Sequence, residues 1–317
     1  MRETPQSLPA AFLERLQRLM PPDRWDVVRA TFDAPKPTTF RVNTLKAAPA
    51  EVHAELSATG FVLEAVPWYP DARLIRHGAL RHLQETPAYR EGRIYVQSLS
   101  SMLPPLALDP QPGESVLDLT AAPGGKTTQL ACLMRGQGRL VANDNNRVRF
   151  FKLRANVLQQ GVPDIELSLR PGEAFGRHRP DTFDRVLLDA PCSTEGRFCA
   201  ADPKSYGYWT PRKIHEMAGK QRSLLRAAAQ SARPGGRVVY STCTFAPEEN
   251  EAVVDWVLQS GGIPMELEAV TVPVPSAMPG LTAWEDASYQ PALSRTVRVL
   301  PTAELEGFFI ASLRKTQ

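Results

Sequence analysis

From about residue 95 onward, short apolar runs alternate with helical patterns, and this rhythm constrains the chain more than any other feature. The runs at 115–120, 138–143, 165–169, 183–189 and 237–242 read as strands. Patterns at 126–134, 147–160, 211–232 and 247–259 read as the helices between them. Such alternation predicts a parallel sheet with helices on both faces, an α/β fold. The last segments, 294–300 and 307–314, read as an antiparallel edge. Pro247, with Glu248 and Glu249 beside it, suits a helix first turn, where proline loses no hydrogen bond and acids complement the dipole.

The first part of the chain has a different pattern. An amphipathic helix is expected at 8–20, a short strand at 41–46, and a helix from Glu51 to Thr59 that Gly60 stops. We therefore expect an α+β unit at 1–95 and a second domain at 96–317; a length of 317 residues suits about two domains. No apolar run approaches the ~18 residues of a membrane span. The opening MRETPQSLPAAFLERL lacks the apolar core and cleavage site of a secretory signal, so a cytoplasmic protein is expected; a monomer is expected as well.

The segment VLDLTAAPGGKTTQLA (116–131) is a strand, a Gly-rich turn and a helix start. In such folds ligands bind beyond the carboxyl ends of the strands. It is not a P-loop, because Thr120 stands where GxxxxGK[ST] needs glycine, and GxGxxG is also absent. What remains is a turn of small residues that lets backbone approach a ligand closely. Asp144, at the end of the next strand, stands where a carboxylate commonly accepts hydrogen bonds from ribose hydroxyls; capping the following helix is the alternative.

The four cysteines, at 132, 192, 199 and 243, form no CxxC pair and no zinc-spaced cluster, so no metal is expected. Cys132 and Cys199 read as structural thiols, and Trp209 and Trp256 as core. Net charge is only +3, but Arg73, Arg76, Arg81, Arg90 and Arg93 crowd one stretch. That stretch is a candidate phosphate-contacting surface or a solvated charged face.

TAAPGGKT, LLDAPCSTEGRF and VYSTCTFAPEENEAV occur in this order, and together they resemble the Sun-type RNA cytosine-5 methyltransferases, a group that includes bacterial 16S rRNA enzymes. RVNTLK, IYVQSLSSM and LEGFFIASLRKT extend the likeness over nearly the whole chain. The resemblance implies a class I methyltransferase domain, with a doubly wound, mostly parallel seven-stranded sheet, behind an RNA-positioning N-terminal domain. It implies S-adenosyl-L-methionine as cofactor and RNA as partner, with rRNA favoured and tRNA second. Thr120, Ala121, Ala122, Pro123, Gly124, Gly125 and Lys126 would wrap the cofactor's methionine part. Asp144 would hold its ribose, and Arg149 matches a family arginine nearby. Asp189 and Cys192 match the Asp-Ala-Pro-Cys loop, and Cys243 matches the family's nucleophile. Pro171 stands where the family has an Asp near the adenine; Glu173 could substitute. The extra C-terminal module of some relatives has no counterpart before Gln317.

The chemistry explains the residue types. Carbon 5 of cytosine accepts a methyl group only after a thiolate adds to carbon 6, which is covalent catalysis. Cys243 would attack, and a helix starting near Pro247 would favour its thiolate through the dipole. Asp189 would hydrogen-bond the cytosine amino group and ring nitrogen, offsetting the charge formed on attack. Cys192 would assist release, and Lys126 would orient the site. Three other readings remain: Cys192 as nucleophile, as in DNA cytosine-5 methyltransferases; methylation of the exocyclic amine; and an RNA-binding or assembly factor without catalysis.

Overall fold

The structure, a computed structural model, describes residues 7–317; the first six residues of the stretch read above for a leader lie outside them. Four short strands, β1 (Thr39–Val42), β2 (Val62–Ala65), β3 (Ala72–His77) and β4 (Ile94–Val96), form an antiparallel sheet in the order β2-β3-β1-β4. The helix Pro49–Ala58 buries Val52 and Leu56 against Phe40, Phe61, Ile75 and Ile94 of this unit. The strand expected at 41–46 ends at Val42, and Asn43 beyond it bonds out of the sheet through its side chain. Its amide donates to the Gly92 and Gln160 carbonyls, each at 2.8 Å.

The second sheet has nine strands. Its parallel part is β5 (Ser115–Asp118), β6 (Arg139–Asn143), β7 (Ile165–Ser168), β8 (Phe183–Asp189) and β9 (Ala232–Thr242), in the order β7-β6-β5-β8-β9. Its later strands are β10 (Met265–Glu268), β11 (Ala277–Pro279), β14 (Val297–Val299) and β15 (Phe308–Lys315), while β12 (Ala283–Trp284) and β13 (Ala287–Ser288) form a separate small hairpin. β15 pairs antiparallel with β9. The seven-strand expectation is corrected because β15 is long enough to take two partners on its outer edge. β14 pairs with Phe308–Ile310 and β10 with Ser312–Lys315, and β11 lies beyond β14.

Two more expectations shift. β9 starts at Ala232, five residues early, through a register shift opposite Phe183 and Arg185 that takes in Pro234-Gly235-Gly236. The helix expected at 247–259 runs Glu251–Ser260, with a turn before it. The helices Arg147–Gln160 and Pro211–Ser231 flank the sheet, and Leu99–Leu108 packs behind β8 and β9 at the domain junction.

The helix Ala10–Leu19 is amphipathic, but its apolar face packs on the large domain. Phe12 and Leu16 lie among Phe198, Trp209 and Phe245, and Arg15 pairs with Glu248 at 2.8 Å. The domains meet along a polar seam. Arg41 of β1 is wholly buried; its guanidinium donates to Gln97 Oε1 (2.9 Å), the Gly125 carbonyl (3.0 Å) and Thr128 Oγ1 (2.5 Å), and lies over the Tyr95 ring. A buried cation is tolerable only when its donors are satisfied in this way. No helix among the described residues is long and apolar enough to cross a membrane.

Candidate active site

A cavity of about 620 Å³ opens at the carboxyl ends of β5, β6, β8 and β9. Its floor is the turn after β5. Gly124 has φ +111°, a backbone conformation that favours glycine, and a Cβ at Gly125 would stand 3.1 Å from the Tyr95 ring, a tight approach. Thr120, Ala121, Ala122, Pro123, Gly125 and Lys126 line it; Gly124 supports it from behind.

Asp144 closes one side and is 2% exposed. Its Oδ2 accepts from the Ala122 N–H at 3.2 Å and faces Arg149 at 3.3 Å; its Oδ1 accepts from the Asn146 N–H at 2.9 Å. The helix cap is Asn146, whose side chain accepts from the Arg149 N–H, so Asp144 is not the cap. Arg149 also donates to the Ala122 carbonyl at 2.5 Å, tying the two sides together. Gly172, rather than Glu173, lines the wall after β7.

Asp189 ends β8 with both carboxylate oxygens engaged: Lys126 Nζ is 2.7 Å from Oδ2 and Ser241 Oγ is 2.8 Å from Oδ1. The Lys126 ammonium also donates to Ser101 Oγ at 2.7 Å. Beyond them the sulfurs of Cys192 and Cys243 lie 3.4 Å apart. The Cys243 thiol is drawn below its ordinary range by the hydrogen bond with Cys192 and by the Arg197 guanidinium, against burial and the nearby Asp189 and Glu306 carboxylates. Cys192 is held as a thiol by that same hydrogen bond and by burial. The helix expected to begin near Pro247 begins at Glu251.

A buried network fixes the two cysteine loops against each other. Ser193 Oγ meets Thr244 Oγ1 at 2.7 Å, Glu249 Oε2 accepts from the Ser193 N–H at 3.0 Å, and Glu195 Oε2 accepts from Thr244 Oγ1 and the Phe245 N–H. Burial pushes the Glu249 carboxyl up to about 8.

Several cavity residues escaped the sequence reading. Asp118 ends β5; Thr127 Oγ1 donates to its Oδ2 at 2.6 Å, while the buried Oδ1 has no partner. Burial pushes this carboxyl up to about 7. The strand-ending Asp of VLDL was a visible signal. Arg197, Ser101 and Glu306 lie within the quoted segments LLDAPCSTEGRF, IYVQSLSSM and LEGFFIASLRKT, but those segments do not show that the side chains reach the cavity, which each does through tertiary contact. Cys132 and Cys199 lie outside the cavity, as does the arginine stretch. Within that stretch Arg76 pairs with Glu64 and Glu304, Arg93 with Glu55 and Glu91, and Arg81 with Glu85.

With this geometry in view, the chain was compared with known proteins. Residues 105–314 match the family described as 16S rRNA methyltransferase RsmB/F, and residues 8–99 match the N-terminal domain of 16S rRNA methyltransferase RsmF. The chain belongs to the RsmB/F family. Among its relatives is a protein of Pyrococcus abyssi named tRNA (cytosine(49)-C(5))-methyltransferase, 39% identical and covering 87% of this chain and 88% of the relative. The ribosomal RNA small subunit methyltransferase F of Cronobacter sakazakii is 37% identical over 98% of this chain, which spans only 63% of that relative's length. A crystal structure of a methyltransferase homologue from Pyrococcus horikoshii superposes with a TM-score of 0.80 at 34% identity, covering 97% of this chain and 100% of that one. The two ordered signatures of this RsmB/F member, DAPCS and STCTF, are the two loops that meet at the paired sulfurs.

Proposed function

We propose that this chain methylates carbon 5 of a cytosine in RNA, with S-adenosyl-L-methionine as cofactor. The observation that carries the reading is the meeting of two strand-end thiols, 3.4 Å apart, beside the Lys126–Asp189 pair in one cavity. Methylation of an exocyclic amine needs no thiol, and a binding factor needs neither thiol activated.

The residues present fit the cofactor. The unpartnered Asp118 Oδ1 suits a buried N–H donor such as the ammonium of its amino-acid end. The small-residue turn would take the methionine part, and Asp144, with Arg149 behind it, would accept from ribose hydroxyls. When bound, the cofactor supplies an electrophilic methyl group.

The rest follows from the chain's own groups. The Cys243 thiolate adds to carbon 6 of the cytosine, which makes carbon 5 nucleophilic. The Asp189 carboxylate accepts from the base's amino group, and the Lys126 ammonium stabilises charge spread onto the ring. After methyl transfer, water in the cavity takes the carbon 5 proton, the carbon–hydrogen electron pair re-forms the carbon 5–carbon 6 double bond, and the carbon–sulfur bond breaks with its pair leaving on Cys243. The Cys192 S–H donates to the departing Cys243 sulfur, which lowers the cost of expelling it.

The match of residues 8–99 to the RsmF N-terminal domain favours 16S rRNA. A tRNA cytosine is the second reading, favoured by the tRNA relative of which the chain covers 88%. The test is nucleoside mass spectrometry of separated rRNA and tRNA from cells with and without the gene. Gene-dependent 5-methylcytidine in 16S rRNA is expected; N4-methylcytidine, or no change in either RNA, would overturn the proposal.

A further inference from the structure

A second, smaller cavity of about 280 Å³ adjoins the active site. The two share Val96, Gln97, Ser98, Arg197 and Glu306 in their walls. Glycines bring the shared Arg197 and Glu306 together. A Cβ on Gly196 would fall 2.2 Å from the Gly307 carbonyl oxygen, and one on Gly307 would fall 2.1 Å from the Phe245 ring. Only two glycines let these backbones touch, and the contact sets Arg197 Nε 3.3 Å from Glu306 Oε2. Ser98 Oγ donates to the same Glu306 oxygen at 3.0 Å.

The opposite wall is a strap, residues 34–38, stiffened by Pro35 and Pro37. Lys36 pins it in place: its ammonium is drawn inward, donating to the Thr31 carbonyl at 2.8 Å and the Thr302 carbonyl at 2.6 Å. The cavity is therefore a built feature of the fold. Leu80 completes it, and it is one of the few large apolar side chains left exposed, at 40%.

Proline, valine and leucine faces together with a guanidinium are surfaces on which a splayed-out base stacks, and Arg197 and Thr38 give donors for its sugar-phosphate. A target base can reach the active-site thiols only by leaving its stack, which turns the adjoining nucleotide toward the neighbouring opening. We propose that this second cavity is the subsite for the nucleotide adjoining the target cytidine, and that it sets the flanking-sequence preference of the enzyme. The proposal rests on the RNA reading above. In it, Arg197 serves both cavities, facing the Cys243 sulfur on one side and the neighbouring nucleotide on the other.

The test uses a transcript spanning the cytosine mapped by bisulfite sequencing, intact or with a single abasic ribose placed immediately 5′ or 3′ of the target. In the wild-type enzyme one of the two abasic RNAs should show a KM for RNA about tenfold higher, the loss of one stacked base, with kcat and the cofactor KM unchanged. Leu80→Trp and Ala34→Trp fill the cavity from opposite exposed walls. Each should raise the KM for intact RNA by a similar factor and erase the difference between intact and abasic RNA. Methylation with the same KM for all three RNAs, or an abasic penalty undiminished in both variants, overturns the subsite and leaves the RNA reading standing. No methylation of any of the RNAs would overturn the RNA reading and the subsite with it.

Discussion

Replacing Glu249 by Gln removes a carboxyl that the fold buries without a cation. Its Oε2 accepts from the Ser193 N–H at 3.0 Å and the Gln221 amide at 2.8 Å, and its Oε1 is buried without a partner. Burial is the largest cause of its raised pKa, nearby Glu195 adds to it, and the two hydrogen bonds offset only part. The folded value is about 8 against an ordinary 4.5, so the folded chain holds a proton that the unfolded chain has lost. The stability from this group is therefore complete below about pH 4.5 and lost as pH rises through about 8. At about 1.4 kcal/mol per unit, the full loss is about 5 kcal/mol, of which about 3 falls between pH 6 and pH 9. Gln keeps the acceptor for Ser193 and Gln221 and cannot ionise. Urea unfolding of both proteins at pH 6 and pH 9 reads the difference directly. The variant should lose about 3 kcal/mol less than the wild type across that interval. Parallel pH dependences for the two proteins would refute the reasoning.

Three further outcomes are expected. Arg197→Gln should move the alkylation midpoint of Cys243 to higher pH, because the guanidinium favours the thiolate; iodoacetamide rates read on the Cys243 peptide would show slower labelling at neutral pH, and an unchanged profile would contradict the assigned cause. Asp118→Asn should weaken cofactor binding by about tenfold or more in calorimetry, as one charge-assisted hydrogen bond is lost, and undiminished affinity would move the amino-acid end elsewhere. Arg147, Lys152 and Arg154 stand exposed on the helix Arg147–Gln160 with no ion pair among the described residues, whereas Arg76, Arg81 and Arg93 are paired. Neutralising the first three should lower the salt-dependence slope of RNA binding by about 2, at ~0.7 per single-strand phosphate contact, and neutralising the second three should change it less; the reverse order would restore the arginine stretch as the RNA face.

The large domain was legible because its strands are apolar runs and its helices carry clear stops. β8 and the helix Arg147–Gln160 fall where the sequence places them, and Gly161, at φ +66°, ends that helix as expected. What was not legible is tertiary. The strands β10 and β11 are four and three residues long and gain their identity only by pairing with β15 and β14. The amphipathic face of Ala10–Leu19 predicts burial but not the partner, which is the aromatic cluster of the other domain. The same holds at the site. The motifs locate both cysteines, yet the cation that biases Cys243 is Arg197, set in place by backbone contact between Gly196 and Gly307. Nor does the sequence show the carboxylate partners of the arginine stretch: Glu55, Glu64 and Glu304 come from other elements, Glu304 being 228 residues from Arg76.

The central claim is that Cys243 bonds the base and Cys192 helps release it. The most direct measurement traps the enzyme on target RNA carrying 5-fluorocytidine, where the fluorine on carbon 5 blocks release after methyl transfer, and maps the crosslinked peptide by mass spectrometry. The account predicts an adduct on the Cys243 peptide in the wild type, none in Cys243→Ala, and in Cys192→Ala an adduct that also accumulates with ordinary cytidine. An adduct on the Cys192 peptide that survives Cys243→Ala would contradict it.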